Sequence, residues 1–156
     1  MAENTYAETE IQLVVFKLGR EDYGISILQV QEIKRIMDIT RVPNSPDYIK
    51  GVINLRGSVL PVIDLKKRLA LPPADYTDDT RIIIVKVEEI TVGLIVDGVS
   101  EVTTLSSANI EPPNTVSGGG VSGQYLSGVG KQDDKLLILL NLATIVGVGA
   151  DSAKAV

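Results

Sequence analysis

Residues 82–102 read IIIVKVEEITVGLIVDGVSEV, and residues 13–33, which lie 69 positions earlier, read LVVFKLGREDYGISILQVQEI. Superposed without a gap, Lys17 meets Lys86, Gly24 meets Gly93, Val30 meets Val99, Glu32 meets Glu101 and Ile33 meets Val102. A second match runs at an offset of 77, where Gly51-Val52 falls on Gly128-Val129 and Val62-Ile63-Asp64-Leu65 falls on Leu139-Leu140-Asn141-Leu142. The chain is an internal repeat whose second copy carries eight extra residues, which enter between Val102 and Gly128, where a Gly-rich stretch tolerates insertion. Each copy has about five strand-sized pieces in roughly 60 residues, too few for a sandwich and right for a small barrel. Barrels that small are marginal alone, so the expectation is an all-β protein with short helices, its two barrels side by side around a shared hydrophobic core, with a groove where they meet.

Composition agrees. Of 156 residues, 19 are Val and 17 Ile, against six aromatics. β-branched side chains suit a pleated, half-buried surface. The chain has no Cys, no His and no Trp, which removes thiol and imidazole chemistry, disulfides, Cys/His zinc sites and every Ser-His-Asp or Cys-His arrangement. A net charge of −5 without a basic run argues against nucleic acid. No apolar run approaches the ~18 residues that span a bilayer, so a cytoplasmic protein without membrane insertion is expected.

Along the chain, Ile11–Leu18 and Tyr23–Ile27 flank a turn at residues 19–22 and read as a hairpin. Apolar residues then fall three apart, at Ile27, Val30, Ile33 and Ile36, which suggests a short helical turn. A loop with two prolines spans residues 38–48. Gly51–Leu55 and Val59–Leu65 form a second hairpin, whose Pro61 demotes the return strand to an edge or a bulge. Ile82–Val87 and Ile90–Val96 form a third, and a Gly-rich loop over Pro112–Gly128 precedes a last strand, Lys135–Leu142. One domain over residues 10–146, with repeat halves near 11–69 and 80–146, leaves residues 1–9 and 147–156 as flexible tails.

Candidate chemistry is sparse. Asp97-Gly98 lacks the Ser or Thr that an aspartic protease places between them, and reads as a turn. Gly118–Gly123 lacks the following Gly-Lys-Ser/Thr of a phosphate cradle, and the acidic residues lack calcium-loop spacing. No metal and no cofactor are expected. Two features stand out. The first is the apolar row Ile27, Val30, Ile33, repeated at Val96, Val99, Val102, which reads as core with part of it lining the groove. The second is Asn54-Leu55-Arg56-Gly57, a hairpin turn whose Arg56 can stay solvated, pair with Glu32 or reach a partner's carboxylate.

The stretches Phe16-Lys17-Leu18-Gly19, Tyr23-Gly24-Ile25, Val30-Gln31-Glu32-Ile33, Ile49 to Gly57, Pro61 to Leu65 and Gly93 to Val99, in that order, resemble the bacterial chemotaxis coupling proteins of the CheW-like domain family. The resemblance covers about Glu10 to Val146. It implies a pair of five-stranded SH3-like barrels around a shared core and a non-enzymatic adaptor that bridges chemoreceptors to the histidine kinase CheA. Through it, the receptor's cytoplasmic hairpin tip is expected to dock at Val14, Ile27, Val30, Ile33, Val87 and Val99. Glu32 and Arg56 correspond to a charged pair on which coupling depends, with Asn54 in the same turn, and Gly51 and Gly57 correspond to turn glycines. The kinase regulatory domain is expected at the end of one barrel. Related readings are a CheW-like module of another receptor-kinase pathway, the regulatory domain of the kinase itself, or a coupler fused to a receiver domain. The start at Met1 and the short tail favour a free-standing coupler, and a small carboxylate-dependent hydrolase is the reading from another class.

Overall fold

The computed structural model describes residues 9–113 and 121–147. The expected tails, apart from Thr9 and Gly147, and the Gly118-Gly119-Gly120 run lie outside them. The first repeat supplies β1 (Glu10–Leu18), β2 (Glu21–Ser26), a 3-10 turn at Ile27–Gln29, β3 (Val30–Arg35), β4 (Ile49–Leu55), β5 (Ser58–Asp64) and a short helix, α1 (Leu65–Arg68). The second supplies β6 (Arg81–Val87), β7 (Ile90–Val96), β8 (Gly98–Ser106), β9 (Ile110–Glu111), β10 (Leu126–Gln132), β11 (Lys135–Leu140) and α2 (Leu142–Val146). β1, β2, β3, β4, β5 and α1 correspond to β6, β7, β8, β10, β11 and α2 at the offsets read from sequence. Both short helices have the same cap: Asp64 accepts from the Lys67 N–H and Asn141 from the Thr144 N–H, each at 3.3 Å.

The halves do not fold separately. One sheet has the order β8-β1-β2-β11-β10-β9 and the other β3-β6-β7-β5-β4. The first hairpin of each repeat therefore joins the sheet built by the rest of the other repeat, which corrects the expectation of one barrel per half. Two parallel pairings make the exchange. Leu139 lies opposite Gly24 between β11 and β2, and their counterparts Val62 and Gly93 lie opposite each other between β5 and β7. Among the described residues each sheet keeps two ends, so the ladder does not close into a hydrogen-bonded barrel.

Each sheet instead curls around a small core of its own, Leu13, Val15, Leu105, Leu137 and Leu139 in one and Ile53, Val62, Ile82, Ile84 and Ile95 in the other. The opposite faces meet in a shared core around Phe16, Tyr23, Ile25, Ile83, Val85 and Leu94. Ile82, Ile83, Ile84 and Val85 are all buried, alternating between the small core and the shared one. A strand buried on both faces needs an unbroken apolar run, and that is why residues 82–85 show no alternation.

The three-residue spacing of Val30 and Ile33 comes from a β-bulge, not from the expected helix. Val30 pairs with Val85, then Glu32 with Ile84 and Ile33 with Ile83, so Gln31 is the extra residue; Val30 packs on the shared core, and Ile33 stands on the same strand face but exposed. The second repeat does the same: Val99 pairs with Phe16, Glu101 with Val15 and Val102 with Val14. Only Ile27–Gln29 is helical, as a single 3-10 turn.

Pro61 also needs correcting, because β5 lies between β7 and β4. Val52, opposite Pro61, gives both its N–H and its C=O to Thr40 on the far side. Pro61 therefore turns its own nitrogen away from β4, and pairing with β7 begins only at Val62, so no ladder bond is lost. Within the expected Gly-rich loop the structure places β10, from Leu126, and β11 ends at Leu140 because Leu142 opens α2. The Thr40–Val52 bridge matches β9–β10, where Glu111 meets Val129. The offset there is 71, so two of the eight extra residues come before Glu111 and the other six after it.

At the centre of the shared core, Tyr23 stacks on Phe16 with ring centroids 6.1 Å apart and planes 17° from parallel. Its hydroxyl is buried without a hydrogen-bond partner. Burial, and then the charge of Glu21, push the phenol pKa up from 10.0 to about 12. The folded state thus keeps a proton that the unfolded chain releases near pH 10, and stability falls as pH rises from there towards about 12. Tyr23→Phe should leave the urea midpoint at pH 7 equal or higher, because an unpaired buried hydroxyl is removed, and should flatten the loss above pH 10. A variant less stable at pH 7 by more than ~1 kcal/mol would show that the hydroxyl is paired.

Candidate interaction site

The bulge that puts Val30 and Ile33 on one face of β3 turns Glu32 to the other, across from Ile84. The hairpin of β4 and β5 brings Arg56 to the same place. Leu55 pairs with Ser58, so Arg56 and Gly57 alone form the turn, with φ of 52° and 89°, and the Asn54 side chain accepts the Gly57 N–H at 3.0 Å. Positive φ at both central residues matches the twist of the flanking strands, which is why glycine suits position 57.

Arg56 and Glu32 meet as a two-pronged pair: one guanidinium nitrogen donates to Oε1 at 3.2 Å and the other to Oε2. Of the three readings the sequence left open for Arg56, the structure shows the pair with Glu32, with the Arg56 side chain still 68% exposed. Lys34, two residues along the same strand face, is 3.9 Å from Oε1 and makes the carboxylate the centre of a three-residue cluster. The hydrogen bond from Arg56 is the main cause that holds the Glu32 carboxyl below its usual range; burial opposes it, and the charges of Arg56 and Lys34 add to it. A shallow cavity of about 240 Å³ lies over the pair, lined also by Gln31, Leu55, Leu60 and Ile84.

The apolar residues divide by depth. Val14 and Val87 are buried in the shared core, so neither meets a ligand in this conformation. Ile27, Val30 and Val99 are half-buried and pack on that core, and Ile33 is 40% exposed. Val102, the counterpart of Ile33, is 53% exposed, and both stand on end strands of their sheets, β8 and β3. Leu28, in the middle of the 3-10 turn, is 92% exposed, a residue the sequence reading passed over. Sequence alone carries no signal for it, because an apolar residue beside Ile27 reads as core until the 3-10 turn is known.

Gly51 belongs to the site only as a structural neighbour. A Cβ built on it would stand 2.2 Å from the Thr40 carbonyl oxygen, and the same addition at its counterpart Gly128 would stand 3.0 Å from the Glu111 carbonyl oxygen. Both glycines let a crossing strand approach. Asp97 has no free role either, since its carboxylate accepts the Gly19 N–H and the Lys66 ammonium, each at 2.7 Å. No group of three or more Asp or Glu side chains suited to a metal ion occurs among the described residues.

Two outcomes are expected here. Gly51→Ala should lower stability by about 2 kcal/mol or more and Gly128→Ala by less, read from denaturant midpoints. Glu32 stabilises the fold above the ordinary carboxylate pKa, and this contribution is lost as pH falls through its lowered value. The stability difference between the parent and Glu32→Gln should therefore close on acidification below about pH 4. A difference that stays constant with pH would mean the carboxylate charge contributes nothing.

The sequence and the fold both match known proteins. Residues 12–148 fit the family model of the CheW-like domain. The Chemotaxis protein CheW of Bacillus subtilis is 40% identical over 141 residues, covering 89% of this chain and 88% of that protein. Its namesake in Klebsiella aerogenes is 38% identical over 135 residues, covering 86% and 81%. The crystal structure of the scaffolding protein TtCheW from Thermoanaerobacter tengcongensis superposes with a TM-score of 0.82 at 40% identity, covering 90% of both chains. With a repeat, an exchanged pair of sheets and a near full-length match in hand, the chain belongs to the CheW-like domain family.

Proposed function

We propose that this chain is a non-enzymatic adaptor that couples chemoreceptors to the histidine kinase CheA and thereby regulates kinase autophosphorylation. The observation that carries the reading is an exposed apolar edge, Leu28 and Ile33, on and just before the end strand whose other face carries the Glu32–Arg56 pair, in a molecule whose sequence holds no Cys or His. An amphipathic helix recognises such a surface by laying apolar side chains on the edge and a polar one on the charged pair. The receptor's cytoplasmic hairpin tip is the occupant proposed, against Ile27, Leu28, Val30, Ile33 and Val99. Val14 and Val87 act from beneath, as the packing that holds these residues in place.

The kinase would meet the protein at the end of one curled sheet, through its regulatory domain. Signalling needs contacts that form and release, and a micromolar interface, about −8 kcal/mol, meets that need with modest area. Working beside membrane receptors, the adaptor is cytoplasmic in this reading and enters receptor arrays through its partners. No helix among the described residues is long and apolar enough to cross a membrane.

The test is reconstitution with the kinase and a receptor cytoplasmic fragment, reading autophosphorylation and co-sedimentation. Addition of the protein should change both; no change in either defeats the coupling reading. Ile33→Asp should weaken receptor binding about tenfold or more and leave kinase binding within about twofold, since it alters an exposed residue on one edge. Equal loss of both partners removes the edge from the receptor site. Arg56→Glu should reduce ternary assembly without unfolding, and the double change Glu32→Arg with Arg56→Glu should restore it in part if the pair acts as a unit.

A further inference from the structure

The repeat is symmetric in its strands but not in its two short helices. In α1, Lys66 and Arg68 stand where α2 has Ala143 and Ile145, at the offset of 77. Both cations leave their own repeat. Arg68 donates from Nε to the Ile145 carbonyl at 2.9 Å and from Nη2 to the Thr144 carbonyl at 3.2 Å, the last turn of α2, whose terminal carbonyls have no partner within the helix. The guanidinium also lies over two rings, 4.0 Å from the Tyr48 centroid and 5.2 Å from that of Tyr125. Tyr48 and Tyr125 are themselves repeat counterparts: each gives its carbonyl, at 2.8 Å, to the N–H of the residue that caps a short helix, Asp64 or Asn141. Lys66, its side chain only 12% exposed, pairs with Asp97, which sits where the chain passes from β7 in one sheet to β8 in the other.

From this geometry we infer that α1 is a two-cation clasp in which Arg68 is the positioning residue that fixes the angle between the two sheets. The guanidinium is suited to this work because its planar fork reaches two carbonyls while its faces meet two rings, which a lysine ammonium does not do at once. Packing of the shared core is non-directional and tolerates small rotations of one sheet over the other; hydrogen bonds to fixed carbonyls do not. The inference concerns the protein alone and stands apart from the coupling reading.

The chain has no Cys, so spin labels can be placed without background at the exposed counterparts Val59, on β5, and Leu136, on β11, one in each sheet. In the V59C/L136C protein, the label-to-label distance distribution should be single and narrow. Arg68→Met, which keeps the length of the stem, should widen it about twofold or split it, and should speed exchange of the Gly147 amide, which bonds Ala143 at the end of α2, about tenfold or more. Amides of the β6–β7 hairpin should keep their protection. A folded Arg68→Met protein with the parent's distribution overturns the inference. Should that variant not fold, Arg68→Lys decides by the same reading, a wider distribution upholding the clasp and an unchanged one overturning it.

Discussion

Exchange of the first hairpin between repeats is the constraint on which the remainder of this fold depends. A half of roughly 60 residues is marginal alone, and giving β1–β2 to the other half removes that difficulty by making neither half separable. Because β2 pairs with β11 and β7 with β5, each sheet is stitched across the repeat boundary by a parallel ladder. The strands at those seams are then covered twice, once by the small core inside their own curl and once by the shared core. Gly24 and Gly93 sit in the seams, opposite Leu139 and Val62, where a side chain would press on the neighbouring strand. The unpaired Tyr23 hydroxyl marks how closely the centre is filled: a large aromatic ring is buried there without a partner for its polar end.

Much of this was legible as pattern, and what was not has a physical reason. The repeat offsets carried the order and lengths of the strands, because insertions collect in loops and leave ladders in register. They could not say which sheet a hairpin joins, since an exchanged and an unexchanged pairing bury the same residues. The period of three in Val30 and Ile33 imitates a helix because a bulge adds one residue between two positions on one face; a strand so interrupted has lost the alternation that would identify it. β10 was missed because Ser127, Gly128 and Gly130 look like loop, although two of them are small for the sake of close crossings by Ile110–Glu111 and Leu105.

Depth was the least legible property of the site. Val14 and Val87 lie on strands buried on both faces, where nothing in an apolar run tells an inner residue from a groove residue. The ion pair was within reach because it needs only two facts, a turn that presents Arg56 and a strand that presents Glu32. Lys34 and Leu28 needed the bulge and the 3-10 turn to be known first.

The departures from symmetry are where one frame acquires two different surfaces. Glu32 and Glu101 occupy the same place in the two repeats, but the turn residue across from Glu32 is Arg56, whereas its counterpart in the other copy is Asp133. One end of the molecule therefore holds a neutralised pair beside an apolar edge, and the other presents acidic side chains on an otherwise equivalent hairpin. α1 and α2 differ in the same way, cations against Ala143 and Ile145. A doubled fold with identical surfaces would offer a partner two interchangeable positions. Placing the cations in one copy and withholding them from the other gives each position a distinct identity, while the shared core joins the two.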